Sequence, residues 1–281
     1  MPIVYLNGDY LPLEEARISV LDRGFTFADA VYEVIPVYSG TIFRLQEHLQ
    51  RLQNSLSSIE ISNPLEDAQW ESIFNKVLEQ NPCEGDRSLY VQVSRGASDR
   101  DHLNDRDLQP TVFIMSREFQ HRDWTEGVKV ITHRDIRWEY CHIKSTALLA
   151  NVMLKQLARA AEAKETILTR DGMITEGASS NVFIVYQGAV ITPEKDGNIL
   201  AGITRDLVVE LLNHAGIDCK EKRVSTEEFD IAEEIWISSS TMGLAPVVKV
   251  NDRVVGNGKP GPIWKKANDL FRDFRENRIT L

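Results

Sequence analysis

An α+β fold in two domains is what this sequence predicts, and three observations carry it. The chain has 281 residues, 42% hydrophobic and 26% charged, enough for one large core or two moderate ones. Its strand-type and helix-type stretches do not alternate as regular βαβ units, which argues against a doubly wound sheet. Finally, REFQHRDWTE, residues 117 to 126, is polar and aperiodic, as a linker is. We therefore expect a small N-terminal domain over residues 1–117, a linker over 118–126 and a larger C-terminal domain over 127–281.

The elements follow in order. VYLNGDYLPL holds an Asn-Gly-Asp turn between two short β-type runs, a hairpin signal, and AVYEVIPVYSGTIFRL repeats it around Ser39 and Gly40. LQEHLQRLQNSLSSI spaces Leu45, Leu49, Leu52, Leu56 and Ile59 as a helix does, with Asn63-Pro64 as its stop. DAQWESIFNKVLEQN predicts a second helix ending at Pro82, and RSLYVQVSRG and TVFIMSR predict strands. GVKVITH opens the second domain as a strand. Neither Gly nor Pro occurs from Val128 to Asp171, leaving room for a helix behind Lys144. Leu148, Leu149, Val152, Leu154, Leu157, Ala160 and Ala161 would form its apolar face. ETILTRDGMITEG and SSNVFIVYQGAVITP read as hairpins, and GITRDLVVELLNHAG as a helix stopped by Gly216. EEIWISSSTMGLAPVVKVNDRVV returns to strands, and PIWKKANDLFRDFRENR closes as a helix.

Composition narrows the function. A net charge of -10 argues against a nucleic-acid partner, because neutralising phosphates needs a basic surface. It also suits an anionic membrane poorly. MPIVYLNGDYLPLEE has neither a basic n-region nor an apolar h-region, so no signal peptide is expected. No apolar run approaches the roughly 18 residues of a spanning helix. Cys83, Cys141 and Cys219 are widely spaced, without a CxxC, and read as reduced thiols of a cytoplasmic protein. His48, His121, His133, His142 and His214 show no metal-ligand spacing, and no Ser/His/Asp order suggests a hydrolase.

Several residues have the chemistry of a site. In CHIKSTALLANVMLKQ, Lys144 stands between a strand and a helix. Most lysines are solvated, but a desolvated amine is a nucleophile suited to covalent catalysis. GITRD, residues 202 to 206, opens a helix, where unpartnered N–H groups favour a phosphate; Gly202 permits close approach and Thr204 adds a hydroxyl. A lone Gly-x-Thr is a weak motif, more often a plain helix start. P-loop and GxGxxG patterns are both lacking. SSSTMG, residues 238 to 243, follows a strand and offers a second anion nest. Glu176, in TEGASSN, needs a cationic or N–H partner if buried. Arg51 lies among apolar positions of its helix. In SRGASDRDHLNDRD, Arg100 and His102 would point the same way from an extended backbone and suit a carboxylate. A charge-rich loop is, however, most often simply solvated. Tyr32 is a strand tyrosine, half-buried or facing a ligand.

The order of these signals resembles the class IV (fold type IV) pyridoxal-phosphate aminotransferases. The carrying motifs are the lysine junction, then T-E-G-x-S-S-N, L-x-G-I-T-R-D and S-S-T, with LDRGFTFADAVYEV and EHLQRL earlier. The resemblance runs from Tyr5 to Phe274. It implies a small N-terminal α/β sandwich-like domain and a larger β-barrel-like domain with flanking helices, with pyridoxal 5'-phosphate as cofactor. It further implies Lys144 as the amine of the Schiff base and proton carrier, and Glu176 as partner of the pyridine nitrogen. Arg51, Ile203, Thr204, Ser240 and Thr241 would hold the phosphate. Tyr32, Arg100 and His102 match the carboxylate site of the members that act on D-amino acids, where the Arg-x-His pair comes from the neighbouring subunit of a homodimer. The implied reaction is ping-pong transfer of an amino group from a D-amino acid to 2-oxoglutarate or pyruvate. Alternatives on the same scaffold are aminodeoxychorismate lyase and a branched-chain or (R)-amine transaminase. One departure is the acidity around Arg100, from Asp99, Asp101, Asp105 and Asp107, which could compete with a substrate carboxylate.

Overall fold

The computed structural model describes residues 1–103, 107–120, 122 and 124–281; Asp105 and His121 lie outside the described residues. The chain forms two compact units, Met1–Gln120 with Ile143–Leu148, and His121–His142 with Leu149–Leu281.

In the first unit, β1 (Ile3–Leu6) and β2 (Asp9–Pro12) form the expected hairpin, with Asn7 and Gly8 both at positive φ. A tight Asn-Gly turn needs that backbone. A short helix the sequence did not announce, α1 (Arg23–Phe27), starts at Asp22, whose carboxylate accepts from the Gly24 N–H. Then follow β3 (Ala30–Tyr38), β4 (Thr41–Ile42), α2 (Leu45–Ser58), α3 (Asp67–Gln80), β5 (Arg87–Ser94) and β6 (Thr111–Glu118). Helix α2 ends before the Asn63-Pro64 stop read from the sequence. Glu60 turns left-handed (φ 55°), and the Ile61 and Glu60 N–H groups return to the Leu56 and Ser57 carbonyls, a Schellman ending made without glycine. The antiparallel sheet runs β2-β1-β6-β5-β3-β4. Its inward positions, among them Val31, Ile35, Leu89, Val91, Val93 and Ile114, pack on Leu49, Leu52 and Leu56 of α2 and Trp70, Phe74 and Val77 of α3. Burying each such side chain contributes about 1.5–3 kcal/mol.

The second unit comprises β7 (Val128–Arg134), α4 (Leu149–Ala160), β8 (Glu165–Arg170), β9 (Met173–Gly177), β10 (Asn181–Tyr186), β11 (Ala189–Thr192), α5 (Ile203–His214), β12 (Cys219–Glu221), β13 (Val224–Ser225), α6 (Thr226–Asp230), β14 (Glu234–Ser239), β15 (Gly243–Val250), β16 (Arg253–Val254) and α7 (Pro262–Arg275). The strands run β12-β11-β10-β14-β15-β7-β8-β9-β13, with β16 on β15. Only Lys222 and Arg223 separate β12 from β13, yet these strands stand at opposite ends of that order. The sheet must therefore curl until its ends approach, around a core that includes Val130, Ile167, Val182, Ile184, Ile235 and Val247. Gly216, at φ 72°, follows α5 as expected.

Helix α4 departs from expectation. Its buried stripe is Leu154 and Ala158, against Leu168 and Ala178, while Leu149, Val152 and Leu157 are exposed. One face of α4 packs on β7 and β8, so among the described residues the apolar side chains on its other faces stay exposed.

Candidate active site

Lys144 is positioned by backbone pairing. Strand β7 ends at Arg134, so residues 135 to 148 separate it from α4, and the lysine lies within this stretch rather than at a strand end. Residues 144 to 146 lie along the edge of β3. The Tyr32 N–H donates to the Lys144 carbonyl (2.9 Å), and the Thr146 N–H donates to the Ala30 carbonyl (2.9 Å). The Lys144 N–H donates to Ser55 Oγ of α2 at 3.2 Å. With its backbone held on both sides, the half-buried lysine puts Nζ 4.1 Å from the Tyr32 ring centroid. Tyr32 in turn stacks on Tyr90 (5.8 Å), whose hydroxyl donates to Gln92 Oε1 at 2.7 Å. Burial pushes the Tyr90 phenol up to about 12, so it stays a neutral donor.

The opposite face of β3 carries a buried charge cluster. Glu33 accepts from Arg51 Nε (2.7 Å) and Nη2 (2.9 Å), and its other partner is His48 Nδ1 at 2.8 Å. Burial alone would raise this carboxyl, but the Arg51 guanidinium and the hydrogen bonds hold it well below the usual carboxylate range. Burial lowers His48, which favours the neutral ring. Arg51, expected to face an anion, is thus oriented by a carboxylate on the neighbouring strand.

Arg100 and His102 meet around one ring. Their segment is bent, not the extended strand assumed from the sequence: the Asp101 N–H returns to the Asp99 carbonyl and the Leu103 N–H to Asp101 Oδ1. Both side chains still reach Phe27, with the Arg100 guanidinium 5.3 Å from its centroid and the His102 ring 5.4 Å away. Among the described residues, no carboxylate pairs with Arg100, and no hydrogen bond or ring contact joins Arg100 or His102 to Tyr32 or Lys144.

The second unit gathers the remaining residues. Glu176, on β9, is buried; Arg137 Nη1 donates to its Oε1, and Asn181 Nδ2 and the Leu200 N–H each donate to its Oε2 at 3.1 Å. Burial raises this carboxyl to about 7 against the opposing pull of Arg137. Arg137 is itself held by Asp135 through Nε (3.0 Å) and Nη2 (2.9 Å), and Arg170 adds a contact to Asp135 at 3.1 Å. Asn181 also donates to the Leu200 carbonyl, lies against Gly202 and pairs in register with Ser238. Gly202 caps α5 without a side-chain hydrogen bond, so the cap itself leaves the first-turn N–H groups of Ile203 and Thr204 to other acceptors. Ser238 Oγ is fully buried with no hydrogen-bond partner among the described residues. Ser240 and Thr241 follow in the β14–β15 turn.

This donor set suits a phosphorylated, nitrogen-containing ring. A bare helix N-terminus and an orphaned hydroxyl favour an oxyanion, and a buried carboxylate favours a cationic N–H. Arg137 and Asn181 were missed from the sequence. DIRWEY carries no periodic or motif signal for Arg137, whereas Asn181 stands inside the quoted TEGASSN.

Comparison with known proteins gives the family. Residues 30–250 match the amino-transferase class IV family. The chain is 39% identical over 272 residues to a D-alanine aminotransferase of Bacillus licheniformis, covering 96% of each chain. It is 33% identical to one from Staphylococcus haemolyticus, covering 99% of each. Among solved structures, a branched-chain aminotransferase of Thermoproteus uzoniensis with norvaline superposes at a TM-score of 0.89 with 26% identity, over 98% of this chain and 95% of that one. The branched-chain amino acid aminotransferase from Escherichia coli gives 0.88 over 97% and 93%, at 23% identity, a likeness of fold.

Proposed function

Because the chain belongs to the class IV aminotransferases, we propose that it is a pyridoxal-phosphate-dependent transaminase moving an amino group from a D-amino acid to a 2-oxo acid, 2-oxoglutarate or pyruvate, by a ping-pong route. The observation that carries this reading is the amine of Lys144, fixed over the Tyr32 ring by the pairing of residues 144–146 with β3. When bound, the cofactor supplies an aldehyde to take up the amino group and a ring to hold the electron pair released at Cα.

The protein's own residues do the rest. Lys144 would supply the amine that anchors the aldehyde and would then carry the proton released at the substrate Cα. Glu176 would accept from the ring N–H, with its carboxylate held in place by Arg137 on Oε1 and by Asn181 on Oε2. Ile203, Thr204, Ser240 and Thr241 hold the phosphate, with Arg51 oriented for the same task by Glu33. Tyr32, Arg100 and His102 take the substrate carboxylate. The near-full-length likeness to two D-alanine aminotransferases supports D-amino acids as substrates.

The same reading makes the protein a cytoplasmic homodimer in which Arg100 and His102 serve the partner's site. Two observations support self-association. Arg100 and His102 are exposed and touch neither Tyr32 nor Lys144 among the described residues. The adjoining segments, joined by the Asp22–Ala97 bridge, expose Val20, Phe25 and Leu103 at 75%, 71% and 82%, large apolar side chains that a second subunit would cover. No helix among the described residues is long and apolar enough to cross a membrane.

The test is a spectral titration of cofactor-loaded protein with D-alanine and, separately, L-leucine. D-alanine alone should convert the cofactor's absorbance to that of its pyridoxamine form, and a 2-oxo acid should restore it. Conversion by L-leucine alone would establish a branched-chain enzyme instead. Failure of both would favour the lyase or the amine transaminase.

A further inference from the structure

The DRGFTF motif, residues 22 to 27, has no part in the chemistry described so far, yet it is tied to the loop that presents Arg100 and His102. Arg23 is almost fully buried, unusual for an arginine on so short a helix. Its Nη1 donates to the Asp101 carbonyl at 2.7 Å and its Nη2 to the His102 carbonyl at 3.3 Å. Its Nε is taken by Asp29 Oδ2 at 2.9 Å. Asp29 is anchored from the end of β5 by Arg95, through Nε at 2.7 Å and Nη2 at 3.0 Å. One guanidinium fork thus connects a fixed carboxylate to two successive carbonyls of the exposed loop. The Arg23 guanidinium also lies 4.7 Å from the Phe27 centroid, the ring that Arg100 and His102 share.

We infer that Arg23 and Phe27 are positioning residues for the substrate carboxylate: Arg23 fixes the backbone of the Arg100–Asp101–His102 segment, and Phe27 fixes the two side chains. This rests on the reading of Arg100 and His102 as the carboxylate site. The physical case has two parts. The segment has little regular structure of its own, so unheld it would sample many conformations and pay an ordering cost at each binding event. The charges are also sorted. Asp29 compensates Arg23, while Arg100 has no carboxylate partner among the described residues and keeps its donors for a ligand. An aromatic platform suits such a guanidinium, because it holds the planar group by its face and leaves the edge donors open. Asp101, a feared competitor for Arg100, turns its Oδ1 to the Leu103 N–H instead.

The experiment compares R23K, R23Q, F27L and R100A in cofactor-loaded enzyme. For each, KM and kcat are measured for D-alanine and for a primary amine lacking a carboxylate, and folding is checked by the thermal midpoint. R23K keeps the charge beside Asp29 and loses the fork, so it reports positioning if R23Q does not fold. The inference expects R23K and F27L to raise KM for D-alanine about tenfold, leaving kcat within about twofold and the constants for the amine unchanged. Equal changes for both donors, or none for either, would overturn it and leave Arg23 a structural residue. R100A separates the two failures. If R100A raises KM for D-alanine and R23K does not, the positioning role alone falls. If R100A leaves that KM unchanged, the carboxylate reading falls and the inference with it.

Discussion

Glu33 occupies an inward position of β3 between Val31 and Ile35, where a strand would ordinarily place another aliphatic residue. The Arg51 guanidinium and the His48 ring on α2 make it tolerable, and its depressed carboxyl gives it a definite effect on stability. The group contributes above its unfolded value of 4.5, and the contribution is lost as pH falls below that value toward the depressed folded one. E33Q should therefore lose about 3–5 kcal/mol near neutrality by leaving Arg51 without its charge partner. It should also flatten the acid limb of the stability curve. Denaturant unfolding at a series of pH values measures both, and an acid limb as steep as the parent's would refute the assignment. The sequence hinted at this: an acid in the apolar alternation of AVYEVIPV is an anomaly visible without coordinates. Its partners were not visible, because nothing local ties residue 33 to residues 48 and 51.

At the scale of elements, legibility followed locality. Hairpins with Asn-Gly, Ser-Gly and Asp-Gly turns formed where expected, since two residues of permitted positive φ fix such a turn. What escaped were features set by distant partners: the short helix α1, the apolar face of α4 that stays exposed, and the edge pairing that carries Lys144. The start of α5 shows how tightly such partners are packed. A Cβ on Gly202 would come within 2.0 Å of Asn181 Oδ1, and Asn181 is one of three donors to Glu176. G202A should therefore cost about 1–3 kcal/mol of stability by overpacking and loosen the cofactor as Asn181 is pushed aside. Thermal unfolding and the cofactor dissociation constant report the two effects. An unchanged dissociation constant would mean that Asn181 can move without disturbing the site.

For the whole molecule, the residues proposed for the site could be picked out by type, and their companions could not. Lys144, Glu176, Thr204, Arg100 and His102 stand in motifs with a chemical logic. The buried forks of Arg23 and Arg137, and a Ser238 hydroxyl with no hydrogen-bond partner among the described residues, are visible only in the folded chain. The proposed dimer makes one further demand. F25D places a charge on the exposed apolar ground beside Arg23 and should shift the protein toward monomer in sedimentation, with activity falling in parallel. A fully active monomer would refute the sharing of Arg100 and His102 between subunits.

The excursion of residues 143–148 bears on how the chain is made. A ribosome delivers β3 early, but the strand-like segment that covers its edge only after the first strand of the second unit, β7, has been synthesised. Until residue 148 emerges, the nascent first unit carries an open edge of unpaired N–H and C=O groups, a template for wrong pairing. A fragment ending at residue 120 is frozen at that stage, and adding a peptide spanning residues 143–148 would be the way to release it.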